Sequence, residues 1–244
     1  MTDVVYFLAH QAAFYQHREL LYSLRSLEKH VAGVDQVFVV GAPPAWGSSG
    51  LALVPECDPY DHNKDANIIR KMLLTCRHSE ISEPFLFVND DHYFSQDCRS
   101  VEFPFYHKGE IRAAGTNREY NRRLANTRLI LEERGLPTLN YDIHTPILIY
   151  REDLQEVFAG RDWVDLDGPG VVMKSLYANS RPEIAGVYLP DCKLGVRVRD
   201  GLDFWEEKLQ TRPCWSTGEY IPRLVWEVLE RLYPEPSFFE EVNR

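Results

Sequence analysis

Apolar positions along the chain fall into two rhythms. Val4 to Ala9, Gln36 to Val40, Leu51 to Val54 and Phe85 to Val88 are short runs of aliphatic and aromatic residues, the pattern of strands buried on both faces. Between them the spacing turns helical. In Arg18 to Val31, Leu20, Leu24, Leu27 and Val31 share one face and Arg25, Glu28 and Lys29 the other, with Gly33 as a stop. In Ala66 to Arg77, Ile68, Ile69, Met72, Leu73 and Cys76 form the apolar face. Gly41 to Gly50 is a loop by composition. The order strand, helix, strand, short strand, helix, strand predicts an α/β fold, an open and mostly parallel sheet flanked by helices.

The second half is less regular. Phe103 to Tyr106 is expected as an edge strand, where Pro104 is tolerated. Asn117 to Arg134 is expected as a long helix closed by Gly135 and Pro137. The stretch Tyr141 to Tyr150 sets Asp142 and His144 just before a strand. Helices are expected over Glu152 to Ala159 and Gly170 to Asn179, and strands over Gly186 to Leu189 and Lys193 to Val198. Tyr220 to Tyr233 is a last amphipathic helix, with Leu224, Val225, Val228, Leu229 and Leu232 inward and Pro222 in its first turn. No repeat, low-complexity stretch or linker interrupts the pattern, so a single domain is expected over residues 1–244.

Charge narrows the function. A net charge of −10 weighs against a non-specific nucleic-acid binder, which is normally basic. It leaves room for one local basic patch, and Arg118, Arg122, Arg123 and Arg128 supply one on the long helix, suited to an anionic acceptor or to a solvated face. The five cysteines are widely spaced and form no Cys-x-x-Cys pair, which favours reduced thiols in a cytoplasm. The N-terminus lacks the features of a signal peptide, and no apolar run approaches the ~20 residues of a membrane span. A cytoplasmic protein is expected. The P-loop, the Gly-x-Gly-x-x-Gly fingerprint and the Gly-x-Ser-x-Gly elbow are all missing, against a P-loop ATPase, a nicotinamide dehydrogenase and the commonest esterase pattern.

The candidate chemistry sits where the apolar run Phe85 to Val88 gives way to Asn89-Asp90-Asp91-His92. Parallel sheets bind ligands beyond the carboxyl ends of their strands. In extended chain Asp90 and His92 share a side and Asp91 faces the other. Asp90 and His92 are thus candidate ligands for Mn²⁺ or Mg²⁺, with His144 as a further ligand from a distant segment. Asp91 or Asp142 is a candidate to orient a sugar hydroxyl or take an acceptor proton. A second cluster is Asn63 to Asn67: Asp65 as helix cap, Lys64 for a phosphate, Asn67 for a sugar or ribose hydroxyl. Lys174 and Lys193 are further sources of positive charge, or simply surface lysines. A cation, a nucleotide grip and a positioned hydroxyl are what transfer from a nucleotide-sugar requires.

Arg18 to Val31, then Val37-Phe38-Val39-Val40 and Pro43-Pro44-Ala45-Trp46, resemble the second signature region of the Stealth family. Phe85 to Phe94 is similar to that region's ending, and His144-Thr145-Pro146 to the start of the third region; the resemblance covers about two thirds of the chain. It implies a core like that of the GT-A glycosyltransferases and transfer of a hexose-1-phosphate. In this chain Val4 to His10 replaces the family's opening motif, and His92 stands where the family has an apolar residue. Asp90-x-His92 is instead similar to the Asp-x-His metal motif of some GT-A enzymes, which add a later His ligand. The leading expectation is a metal-dependent glycosyltransferase with a nucleotide-sugar donor, most simply a UDP-sugar, and a glycan or other hydroxyl acceptor. Residues 1–110 would form the nucleotide-sugar half and 111–244 the acceptor half. Sugar-phosphate transfer, a nucleic-acid base as acceptor, and a non-catalytic binding module are the alternatives.

Overall fold

The computed structural model describes residues 1–9, 17–44, 46, 50–60, 63–114, 118–160, 163, 170–181, 183–194, 202–218 and 221–240. The first half runs β1 (Thr2–Leu8), α1 (Arg18–His30), β2 (Val31–Ala32), β3 (Val34–Gly41), β4 (Ala52–Pro55), α2 (Lys64–Arg77), β5 (Phe85–Asn89), β6 (His92–Phe94), β7 (Cys98–Arg99) and β8 (Tyr106–His107). The second runs α3 (Arg118–Glu133), β9 (Ile147–Ile149), α4 (Arg151–Val157), α5 (Met173–Asn179), β10 (Val187–Tyr188), α6 (Leu202–Gln210), β11 (Cys214–Ser216) and α7 (Arg223–Leu232).

The fold is mixed α/β around a five-stranded sheet in the order β4-β3-β1-β5-β9. Its first four strands are parallel and β9 runs antiparallel to β5. β1 lies at the centre because its apolar run has no polar face to show water: Val4, Val5, Tyr6 and Leu8 are fully buried. Val5 pairs with Phe38 on one side and Phe87 on the other, which fixes the register of the three core strands.

α1 buries Leu20, Leu24 and Leu27, and with them two serines that the apolar pattern does not require. The Ser23 hydroxyl donates to the His92 carbonyl at 2.5 Å, and the Ser26 hydroxyl accepts from the Phe94 N–H at 3.0 Å. The serines thus serve one edge of β6, while β11 pairs antiparallel along the other. A second apolar cluster, with Tyr93, Trp205, Trp215 and Leu229, lies where β6 and β11 meet α6 and α7.

At the carboxyl end of β3, Gly41 has φ +128°, and a Cβ there would lie 2.0 Å from the Leu8 carbonyl oxygen. That close approach lets the buried Lys71 donate to the same oxygen at 2.7 Å while it pairs with Asp58 at 2.7 Å.

Several elements differ from the sequence reading. Phe103 to Phe105 forms no strand; Tyr106–His107 pairs with β10, away from the main sheet. α2 begins at Lys64, and Asn63, not Asp65, caps it by accepting the Ala66 N–H at 3.0 Å. α5 begins only at Met173, after Gly170 at φ +66°. Pro222 is the residue before α7, in extended conformation. Of Lys193 to Val198, Lys193 bridges to Ser216 and residues 195–198 lie outside the described residues, as does most of the loop His10 to His17. β6, β11 and α6 were not anticipated, being short or polar in pattern.

Candidate functional site

β5 ends at Asn89, paired with Phe7 at the matching end of β1. The chain then turns at Asp90 and Asp91 and re-enters a strand at His92. The alternation expected of extended chain does not apply across a turn. His92 is wholly buried, with its Nε2 4.0 Å from Asp91 Oδ1 and its Nδ1 accepting the Asn89 N–H at 3.3 Å. Among the described residues its Nε2 has no hydrogen-bond partner. Burial, and then the nearby Lys174 and His144, hold the imidazole well below its ordinary pKa, so it is neutral.

Asp90 and Asp91 are half-buried side by side. Burial and then the charge of Asp91 raise Asp90 to about 7, against the pull of Lys64. Burial also raises Asp91, opposed by His144, a hydrogen bond with Ser216, Lys64 and Lys174. Two adjacent carboxyls out of water resist a second negative charge unless a cation offsets it.

His144 comes from the segment before β9 and is fixed by Asp191. Its Nδ1 lies 2.7 Å from Asp191 Oδ1, and its backbone N–H donates to the same oxygen at 3.3 Å. Lys108 donates to Asp191 Oδ2 at 2.9 Å. Burial would raise Asp191, but the hydrogen bonds from His144 and Lys108 outweigh it and hold the carboxylate well below its usual range. An anionic Asp191 makes Nδ1 the donor, the arrangement of a carboxylate behind a metal-binding histidine.

Lys174 is not a surface lysine. It is buried, donating to the Thr145 carbonyl at 2.8 Å, and so braces the segment that carries His144. Burial lowers its pKa while Asp142 and Asp91 raise it. Asp142 accepts the Tyr120 hydroxyl at 2.6 Å. Lys64 is exposed at the start of α2, and its charge acts on Asp90, Asp91 and Glu19. Asp65 pairs with Arg123. The Asn67 amide donates to the Tyr60 carbonyl at 3.0 Å and accepts the Tyr60 N–H at 3.3 Å, so it ties α2 to the backbone before it. In the basic patch Arg128 pairs with Glu132 at 2.7 Å, and Arg118 and Arg122 are exposed.

Glu19 is the residue that sequence reasoning missed. It lies in the first turn of α1 and accepts the Thr217 hydroxyl at 3.1 Å. Burial, then Asp90 and Asp91, raise it to about 8. An acid in a helix's first turn is ordinary, so nothing in the local pattern marks it. Ser216 and Thr217, adjacent at the end of β11, thus hold Asp91 and Glu19 respectively.

No protein-family model matches the chain, so the Stealth resemblance rests on the quoted segments alone. Among solved structures, the chain is similar to a glycosyltransferase involved in the glycosylation of the major capsid of PBCV-1. The match has 10% identity and a TM-score of 0.39 and covers 96% of this chain and 100% of that one.

The sheet's carboxyl end therefore gathers three carboxyls with raised pKa, a neutral imidazole, a second imidazole braced by an aspartate, and two lysines. Among the described residues no three His, Cys, Asp or Glu side chains form a ready-made metal cage. The donor set is of carboxylate and imidazole type, and the buried His92 Nε2 is unpartnered beside it.

Proposed function

We propose that the protein is a glycosyltransferase that moves a sugar from a nucleotide-sugar, a UDP-sugar first among them, to a hydroxyl acceptor with the help of Mn²⁺ or Mg²⁺. The observation that supports this most is the pair of adjacent carboxyls, Asp90 and Asp91, in the turn that follows β5 at the carboxyl end of the sheet, with the charge of His144 from a separate segment acting on Asp91. Asp90 and Asp91 would hold the ion, with His144 as a further nitrogen donor on the side of Asp191. A cation of this kind takes one or two carboxylates and fills its shell with phosphate oxygens and water, so no complete protein cage is required. When bound, it offsets the charge that develops on the departing diphosphate.

The chain's own groups divide the remaining work. Lys64, at the exposed start of α2, adds charge for the donor's phosphates. His92, neutral and buried, packs its edge against Asp91 without adding a competing positive charge. Asp191 keeps His144 in one tautomer and one orientation. Asp142, steadied by Tyr120, is placed in this reading to orient the acceptor hydroxyl and take its proton.

The test is incubation with a panel of UDP-sugars, with and without Mn²⁺, resolving UDP from UMP. Mn²⁺-dependent UDP release that disappears in Asp91→Asn supports the reading. UMP release would replace it with sugar-phosphate transfer of the Stealth kind. Absence of either product with every donor, in a folded protein, would leave a binding module.

A further inference from the structure

A cavity of about 70 Å³ lies between α6, β11 and the segment Asp191–Leu194. At 10–15 Å³ per water, it holds roughly five waters or one small hydrated ion. Leu209 and Trp215 form an apolar wall, and the charged lining is Lys193, Lys208, Arg212 and Asp191. The Asp191 carboxylate is engaged by the His144 ring, Lys108 and the Lys193 backbone N–H, and makes no ion pair with the three cations. Arg212 donates to the Asp191 carbonyl, and the Lys208 ammonium sits over the Trp205 ring at 4.7 Å. Among the described residues none of the three pairs with a carboxylate.

This grouping runs against the composition. The chain has 37 acidic residues for 27 Lys and Arg, so unpaired cations gathered around one cavity are not an average consequence of its charge. A guanidinium, with one arm already on the Asp191 carbonyl, and two lysines around a small space suit an oxyanion with several acceptor oxygens. We infer that this cavity is a binding site for a tetrahedral oxyanion, either inorganic phosphate or the phosphoryl group of a substrate. The site adjoins the proposed transfer centre through one residue: the Lys193 N–H donates at 3.3 Å to the same Asp191 oxygen that holds His144. It stands apart from the transfer reading, since its lysines and arginine are not used there and its readout is binding.

The experiment is a calorimetric titration of the full chain with inorganic phosphate at constant ionic strength, with chloride as the balancing anion. Saturable phosphate binding is expected, weakened about tenfold or more in Lys193→Ala/Lys208→Ala. Arg212→Lys, which keeps the charge and loses the fork, should also weaken it. No saturable binding by the wild type, or equal binding by the double variant, overturns the proposal. If circular dichroism shows the double variant unfolded, Lys208→Glu, at an exposed helix position, takes its place with the same two outcomes. A sugar monophosphate that binds more tightly than inorganic phosphate, and loses affinity in the same variants, assigns the cavity to a substrate's phosphoryl group. Equal affinity assigns it to free phosphate.

Discussion

Asp91 sits where three influences meet: the neighbouring carboxyl of Asp90, the braced imidazole of His144 and the hydroxyl of Ser216. Asp91→Asn should lower turnover by about 100-fold or more, because the amide removes the charge that attracts a cation while keeping the shape. Its melting temperature should be unchanged or slightly raised, since a crowded charge is lost. Asp191→Asn tests the brace. It leaves the contents of the cleft intact but frees His144 and Lys108, and a loss of about 10–100-fold in Mn²⁺ affinity is expected. Affinity unchanged in that variant would show that His144 needs no partner. Glu19 makes a prediction about pH. Its folded pKa of about 8 lies above its ordinary 4.5, so the folded state holds this proton more tightly. The resulting stabilisation is complete below about 4.5 and fades as pH rises through about 8. Glu19→Gln should flatten the fall in metal-free stability between those values, gaining roughly 1–3 kcal/mol at the alkaline end after allowance for solvent screening. Urea denaturation at pH 5 and pH 8.5 measures it.

Short elements carry the site because longer ones hold them. β6 has only three residues, yet the hydroxyls of α1 serve one of its edges and β11 the other. Ser26→Ala deprives the buried Phe94 N–H of its side-chain acceptor and should cost about 1–3 kcal/mol, read as a lower urea midpoint with unchanged slope. Gly41→Ala should be worse, roughly 3 kcal/mol or more, since the new Cβ meets the Leu8 carbonyl in a backbone conformation that alanine resists. The helices read most easily from spacing were those with a continuous apolar stripe, α1, α2 and α7. Where stripe and cap disagreed, the cap decided: Asn63 accepts the Ala66 N–H and starts α2 at Lys64, leaving Asp65 free to meet Arg123 of α3. Tertiary pairing likewise redirected Tyr106–His107 from the expected sheet edge to β10.

At the scale of the molecule, a ligand that binds only the folded form stabilises it, by about 2.7 kcal/mol when present at a hundredfold excess over its Kd, and so raises the melting temperature. Mn²⁺ with a UDP-sugar should therefore shift the transition more than either alone. Equal shifts from the nucleotide with and without metal would argue against a shared site. The sheet itself was legible from apolar runs and alternating helices, because burial on both faces leaves a local trace in every strand. The Asp90-Asp91-His92 stretch was legible as a candidate site because it follows directly on a buried strand. Other contacts leave no such trace. The Glu19 carboxyl reaches a hydroxyl 198 positions away, and His144 is oriented from 47 positions away. Hydrogen bonds and ion pairs between distant residues impose no period on the chain. The amino-acid pattern thus determined the core strands, the helices with an apolar stripe and which end of the sheet carries acids. Only tertiary packing decided that β9 runs backwards, that His92 turns inward beside Asp91, and that Lys174 is buried, because those outcomes depend on which surfaces exclude water together.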